Sequence, residues 1–392
     1  MKILQVSHSF YPCHRAGGVV KVVYEISRAL VKKGHEVTVI TTDGCTPRLD
    51  VKKNTEVQIE GIRVWYFQNI SNFLRIKFKI ATPYFLPLYL NKHMENVDII
   101  HIHEHRSVLA ILTHLYAKKY GIPYVIQAHG SVLPSFGKQN LKNWFDFVWG
   151  DKILKDAVKL IAVSNVEKDQ YIKMGLPENK IEIIPNGIDI SEYEKLPEQG
   201  KFRKKYGIKS DEKIILYLGR LHKTKGLDFL VNSFSNLLDC YRNVTLVIAG
   251  PESDFLNILI TQIKKLNIDE KVFVIGPLYK NEKLEAFVDS DVLVYPGRIE
   301  IFGLVPFEAI MCGTPVIVTD DCGCGEIIKE NRCGYTIKYG DINGLTKKIY
   351  EVLSNPEAAK EKVNHGKQFI KEELNWEINI SKFTTLYTNC LH

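Results

Sequence analysis

No window of the 392-residue chain approaches the roughly 18 consecutive apolar residues that a membrane-spanning helix needs. A transmembrane protein of that kind is therefore not expected. The opening Met1-Lys2-Ile3-Leu4-Gln5-Val6 runs straight into a β-like stretch before His8, too short for the apolar core of a signal peptide, so a cytoplasmic protein is expected. Low-complexity tracts are absent, and the composition, 45% hydrophobic and 25% charged, is that of a folded globular chain. The eight cysteines include no paired C-x2-C knuckles. Cys312, Cys322, Cys324 and Cys333 lie close in sequence, with Cys322-Gly323-Cys324 as the one tight pair. This spacing does not suit structural zinc, and reduced thiols are expected throughout. The G-x-G-x-x-G dinucleotide fingerprint is missing too, and no clear acidic residue closes the second strand, although Asp43 lies near.

What is present is enough chain for two domains, each with its own core. The net charge of +7 is uneven. Residues 1–196 hold 26 Lys+Arg against 19 Asp+Glu, and the remainder balances. Such an asymmetry points to an anionic partner of the first half: nucleic acid, an anionic membrane surface or a phosphorylated acceptor, against a plain solvated basic surface.

Strand and helix signals alternate twice. The apolar run Ile3–Val6 precedes a glycine-containing loop, an amphipathic stretch Val19–Lys33 ended by Gly34, and a strand at Val37–Ile40. That is a βαβ unit, which implies parallel strands. Further strands are expected at Ile99–Ile102, Tyr124–Ile126 and Leu160–Val163. A second series starts at Lys213–Leu218 and continues through a helix, Leu227–Leu238, and strands at Val244–Ala249, Val272–Ile275, Val292–Tyr295 and Pro315–Val318. Turn residues at Pro185–Asp189 and the charged run Glu192–Lys205 separate the halves. The organisation expected is an N-terminal domain over 1–190, a linker over 191–211, a second domain over 212–374 and a closing helix over 375–392. Two doubly wound sheets place ligands at the carboxyl ends of their strands.

Three loops carry chemistry. Ala16-Gly17-Gly18 precedes a helix, where backbone N–H groups can approach an anion; a structural turn explains the same residues. Gly219–Gly226 follows a strand and frames Arg220 and Lys225, a fork and a point charge suited to a diphosphate. Glu300-Ile301-Phe302-Gly303-Leu304-Val305-Pro306-Phe307-Glu308 leads into an apolar helix. Pro306 fits its first turn, and the N–H groups of Gly303, Leu304 and Val305 would face an anion. Glu308, read as lying in the same first turn, can accept from paired ribose hydroxyls, and Glu300 can reach a sugar hydroxyl; two carboxylates complementing the helix dipole are the bland alternative.

Over essentially its whole length the chain resembles the retaining glycosyltransferases of family 4. The matching segments are the opening through Thr41, "DIIHIHE", "IPNGID", "LGRLHKTKG", the glutamates Glu300 and Glu308, "EAIMCGTPVIVTD" and Asn375-Trp376. The resemblance implies the α/β GT-B fold, two Rossmann-like doubly wound parallel-sheet domains facing a central cleft. It implies that Gly17 and Gly18 approach the donor phosphates, that Arg220 and Lys225 neutralise the departing diphosphate, that Glu308 holds the ribose and Glu300 the donor sugar, and that His129 lies beneath the transferred sugar. Fixed cations and helix N–H groups would carry the leaving charge, so neither metal nor other cofactor is expected. No Asp-x-Asp stands in a position suggesting otherwise; Asp320-Asp321 is the nearest acidic pair. Retention without a carboxylate nucleophile implies front-side attack. One departure is Cys322-Gly323-Cys324-Gly325-Glu326, where family members often carry adjacent glycines before the glutamate.

His101, His103 and His105 alternate and would share one face of a strand, as ligands of a metal or, on the family reading preferred here, at a strand end facing the acceptor. Phe73–Tyr89 interleaves aromatics with Arg75, Lys77 and Lys79. Lying at an anionic membrane interface and packing as an ordinary strand and loop are its two readings; the charge asymmetry favours the first. Pro83 and Pro87 argue against one continuous helix there. The expected partners are a nucleotide-sugar donor, UDP-hexose or GDP-mannose, and a glycan or lipid-linked acceptor, with no nucleic acid. Gly276–Tyr279 is a candidate for base contacts. A nucleotide-sugar epimerase and a non-catalytic sugar-nucleotide-binding protein are the alternatives.

Overall fold

A computed structural model describes residues 1–13, 17–75, 80–133, 139–252 and 255–391. The chain divides into two compact units, Met1–Gly187 together with Trp376–His392, and Ile188–Asn375. Both are built on parallel sheets, the α/β architecture that alternating strand and helix signals require.

The first unit holds an eight-stranded sheet. Its strands are β1 (Lys2–Val6), β2 (Glu36–Thr42), β3 (Glu56–Ile59), β4 (Ile62–Phe67), β5 (Ile99–His103), β6 (Tyr124–Gln127), β7 (Lys159–Ala162) and β8 (Ile181–Ile183). They run in the order β3-β4-β2-β1-β5-β6-β7-β8. Only the hairpin strand β3 is antiparallel to its neighbour. The first βαβ unit is as the pattern predicts: the helix Gly18–Lys32 buries Val20, Val22, Val23, Ile26 and Leu30 on one stripe.

Alternation within β5 sorts its residues. Ile100 and Ile102 join a core cluster with Leu4, Val6, Ile126 and Leu160. His101 and His103 point to the other face, together with Gln5 and Gln127 of the register-paired strands. This polar layer is fully buried. It lies under the closing helix Trp376–Leu391, whose Phe383 and Tyr387 rings meet His101 at 5.8 and 5.9 Å.

The second unit has six strands, β9 (Lys213–Leu218), β10 (Val244–Ala249), β11 (Val272–Ile275), β12 (Val292–Tyr295), β13 (Val316–Thr319) and β14 (Tyr335–Ile337). Their order is β11-β10-β9-β12-β13-β14, with every pair parallel. This is the doubly wound order that reverses between the first and fourth strands. The stretch read as a linker packs within this unit. Its helix Lys201–Tyr206 buries Phe202, and Asp289 accepts from the Gly200 and Arg203 amides at 2.5 and 3.0 Å.

Two sequence readings need correction. Cys13 and Cys45 form a disulfide, where reduced thiols were expected. The loops after the neighbouring strands β1 and β2 bring their Cα atoms to 5.9 Å, within bonding range. Arg75, read as part of a basic surface, is buried and donates to Ser9 Oγ at 2.6 Å. Lys77 and Lys79 lie outside the described residues. Leu86, Tyr89 and Leu90 pack inward on the helix Leu86–His93, whose first turn holds Pro87. Among the described residues no helix is long and apolar enough to cross a membrane.

Candidate active site

In each unit the polar groups gather where the strand order reverses. In the second unit that point lies between β9 and β12. The loop after β9 carries Arg220 and Lys225, and the loop after β12 carries Glu300. Lys225 Nζ and Glu300 Oε2 form an ion pair, both side chains 18% exposed. The Tyr295 hydroxyl, from the last residue of β12, donates to the same Glu300 oxygen at 2.6 Å. Lys225 also lies over the Tyr295 ring, 5.8 Å from its centre, a favourable cation–π placement. Burial, reinforced by the Glu300 charge, pushes the Tyr295 hydroxyl far above its usual range, so it stays a donor. Tyr295 stacks on Tyr217, whose hydroxyl donates to the Arg220 carbonyl at 2.9 Å. Neither tyrosine was singled out from the sequence; the strand-end position five residues before Glu300 was the available signal. Arg220 itself is exposed, and its guanidinium makes no hydrogen bond or ion pair among the described residues.

Gly303 follows with φ 70°, a left-handed value that favours glycine, and a Cβ there would stand 2.8 Å from the Glu300 side chain. It opens the helix Leu304–Cys312, whose N-terminal end no side chain caps. Pro306 is the third helical residue. Glu308 is the fifth, so it lies in the second turn rather than the first; it is 4% exposed and pairs with Lys283 at 3.0 Å. Phe302 turns inward against Phe307. Leu304 and Val305 are half-buried.

The departing Cys-Gly-Cys-Gly loop belongs to this cluster. Gly323 N donates to the Glu300 carbonyl at 2.8 Å. Cys322 and Cys324 are buried, with sulfurs 3.4 Å apart. Cys324 Sγ lies 3.1 Å from where a Gly303 Cβ would be. Gly325 is not replaceable, since its Cβ would meet the Thr319 carbonyl oxygen at 1.8 Å. The chain also contains an Asp-x-Asp, Asp289-Ser290-Asp291, but at the other end of β12. Asp291 there accepts from Ile214 N and pairs with Lys213 and Arg203, each between 2.8 and 3.1 Å.

In the first unit the strand order reverses between β1 and β5. His8, after β1, pairs through Nδ1 with Glu104, directly after β5. Burial alone would raise the Glu104 carboxyl, but the His8 charge and hydrogen bond, with His129 and Arg75, hold it below its usual value. Glu104 and His129 both adopt positive φ, 68° and 52°, a strain that side-chain-bearing residues keep only when surroundings fix them. His129, half-buried at the end of β6, meets His103 Nδ1 through Nε2 at 2.8 Å, and His103 Nε2 meets Gln5 Oε1 at 2.7 Å. Burial pushes the His129 imidazole down to about 4. The following Gly130 amide donates to Glu167 at 2.6 Å, and Glu167 accepts from Val163 N at 2.9 Å as well. Burial nonetheless pushes the Glu167 carboxyl up to about 7.

The three imidazoles expected on one face divide. His101 and His103 share it, but His105 follows the strand and lies near Asp146 at 3.7 Å. Gly17 precedes, and Gly18 begins, the first helix; Ala16 lies outside the described residues. Asp43 is buried and serves structure: it accepts from Arg48 at 2.7 Å and from Asn69 at 3.0 Å.

Known proteins resemble this chain in sequence and fold. The family model for "Glycosyltransferase Family 4" matches residues 16–192, and that for "Glycosyl transferases group 1" matches residues 198–369. An uncharacterized glycosyltransferase of Methanocaldococcus jannaschii is 28% identical over 98% of this chain and 97% of its own. The N-acetyl-alpha-D-glucosaminyl L-malate synthase of Bacillus anthracis is 27% identical over 99% of this chain and 97% of its own. Among solved structures, Anabaena HepE in complex with UDP superposes with a TM-score of 0.80 at 18% identity, covering 99% of this chain and all of that one. With one family model on each half and the same fold throughout, the chain belongs to the group 1 and family 4 glycosyltransferases of GT-B fold.

Proposed function

We propose that the protein is a metal-independent, retaining hexosyltransferase that takes its sugar from a nucleotide-diphosphate donor. The observation carrying this reading is the Lys225–Glu300–Tyr295 cluster beside the uncapped helix start at Leu304. Breaking a sugar–phosphate bond leaves negative charge on the diphosphate. Lys225 and the amides of Gly303, Leu304 and Val305 are fixed positive or partly positive groups that answer it without a bound cation, and the exposed Arg220 adds a second full charge. Glu308 takes the ribose hydroxyls and Glu300 a hydroxyl of the sugar. In the first unit, Gly17 and Gly18 approach the phosphates and His129 the sugar. A UDP-sugar is the donor favoured, because HepE was solved with UDP; GDP-mannose is the competitor. The acceptor is a glycan or a lipid-linked glycan, in surface polysaccharide or glycoconjugate synthesis.

Peripheral association with an anionic membrane completes the proposal. The first unit carries 26 Lys+Arg against 17 Asp+Glu. Phe73, Tyr84, Phe85 and Leu88 are exposed on it, Leu88 by 68%. Apolar side chains flanked by excess positive charge are what an anionic lipid surface takes up.

Calorimetric binding of UDP, GDP, ADP and CDP tests the core of the proposal. One clear binder, with transfer from its sugar conjugate unchanged by excess EDTA, is the expected result. No binding to folded protein would reject a transferase in favour of a non-catalytic role. Release of no nucleoside diphosphate with any acceptor, alongside an altered donor sugar, would instead indicate an epimerase.

A further inference from the structure

The buried polar layer of the first sheet costs stability. His101 Nε2 is buried without a partner, and such an orphan group loses its hydration with nothing in return. An apolar face would pack under the closing helix at no such cost. What the layer does achieve is a continuous path from the sheet interior to His129: Gln5, then His103, then His129, with contacts of 2.7 and 2.8 Å. Burial holds the imidazoles of His101 and His103 well below their usual titration range, so both are neutral.

A neutral imidazole has one N–H and one bare nitrogen, and each contact must pair a donor with an acceptor. Gln5 Oε1 has no hydrogen, so His103 Nε2 is the donor to it. His103 Nδ1 is then bare and can only accept, so the donor to it is His129 Nε2–H. His129 Nδ1 is consequently bare, and it makes no hydrogen bond among the described residues. We propose that Gln5 and His103 are positioning residues that lock His129 as its Nε2–H tautomer, leaving Nδ1 to accept a hydrogen bond from a hydroxyl of the transferred sugar. The proposal rests on the placement of His129 under the reading above. It assigns His129 the part of a neutral acceptor, not that of a proton donor.

Long-range proton–nitrogen NMR of the histidine-labelled full chain reads the tautomer directly, with His129→Asn identifying the resonance. The expected result is the Nε2–H form in the wild type. Gln5→Met, which keeps length but removes the acceptor, releases the lock and mixes the tautomers, whereas Gln5→Glu restores an acceptor and the wild-type form. His103→Asn serves as a second release should Gln5→Met fold poorly. In transfer assays the released variants lose up to about 100-fold in kcat with the donor KM nearly unchanged, and Gln5→Glu recovers most of it. A wild-type Nδ1–H form, which a reversed Gln5 amide would produce, overturns the proposal, as does an unshifted His129 signal in both released variants. A shifted tautomer with unchanged kcat overturns the link to the sugar and the placement of His129, while leaving donor binding by the second unit standing. Loss of all nucleotide binding in the wild type would instead reject the transferase reading.

Discussion

The two units solve the same geometric problem with different chemistry. Each reverses its strand order once, and each joins the two loops at that point by an acid–base pair: His8–Glu104 in the first, Lys225–Glu300 in the second. Behind the pair, the second unit places two stacked tyrosines and a helix start, and the base of its pair is a lysine ammonium. The first unit places a layer of neutral imidazoles and amides, whose charge depends on pH and whose directions depend on tautomer. Under the proposed function, the second edge takes the anionic leaving group and the first the neutral sugar. This division explains why the second half is read so directly from sequence: permanent charges framed by glycines are visible as letters, whereas hydrogen-bond direction is not.

The comparison breaks first at Lys225. Lys225→Ala removes the fixed cation and leaves Glu300 with the Tyr295 hydroxyl, 2.6 Å away, as its remaining side-chain partner in the cluster. A loss of about 10²–10³-fold in kcat/KM is expected, the size seen when one fixed donor to a developing anion is removed. Steady-state kinetics with the identified donor measures it. Activity within a factor of two of wild type would mean that the second switch point does not hold the leaving group.

Acid should separate the units next. The imidazoles of His101, His103, His105 and His129 are all depressed, chiefly by burial, His129 to about 4. An unfolded chain binds protons at these sites below about pH 6.5 while the folded unit resists them. The raised Glu167 carboxyl works the other way, since the folded unit takes up its proton first. Four imidazoles outweigh one carboxyl, so stability of the first unit falls as pH drops from about 6.5 towards 4. The second unit buries no histidine among its described residues. Hydrogen exchange at graded pH should show β1, β5 and β6 losing protection before β9 and β12. Simultaneous loss would place the acid sensitivity elsewhere.

Glu308 offers a smaller and more specific change. Glu308→Gln keeps the shape but not the charge, and leaves Lys283, 3.0 Å away, without its counter-ion. A hydrogen bond to a charged group contributes about 1.5–3 kcal/mol, so the donor KM should rise by about 10- to 100-fold with kcat nearly kept. A fall in kcat alone would move Glu308 from ribose binding to the reacting sugar.

Much of this was legible in the sequence for physical reasons. Strands β9, β10 and β12 are near-continuous apolar runs because both faces are buried. Strand β11 is an apolar run that is only half-buried, and the bounds of all four agree with the expectation to the residue. The hairpin strands β3 and β4 passed unnoticed, since Glu56–Ile59 alternates on a half-exposed edge and carries little contrast. Arg75 looked like surface because composition cannot show that Ser9, from a loop distant in sequence, takes its charge inside. Cys13 and Cys45 lie 32 residues apart, and only the pairing of β1 with β2 makes them neighbours. Among the candidate site residues, Lys225, Glu300 and Glu308 stand in motifs, whereas Tyr295, Gln5 and Glu167 are tied to the two clusters by partners that only the fold supplies.

Tyr295 gives the finest test of the comparison, because it separates a charge from the geometry that holds it. Its hydroxyl and Lys225 converge on one oxygen of Glu300. If the lysine alone fixes the carboxylate, Tyr295→Phe is silent. If both are needed, the carboxylate gains a rotamer and Glu300 meets the sugar hydroxyl less often. The phenyl ring keeps the stack on Tyr217 and the cation–π contact, so neither packing nor charge changes. Loss of one charge-assisted hydrogen bond then predicts a fall in kcat of about 10-fold, with donor KM and melting temperature nearly unchanged. A rise in donor KM at constant kcat would show that Glu300 binds the donor in the ground state and does not act on its sugar during transfer.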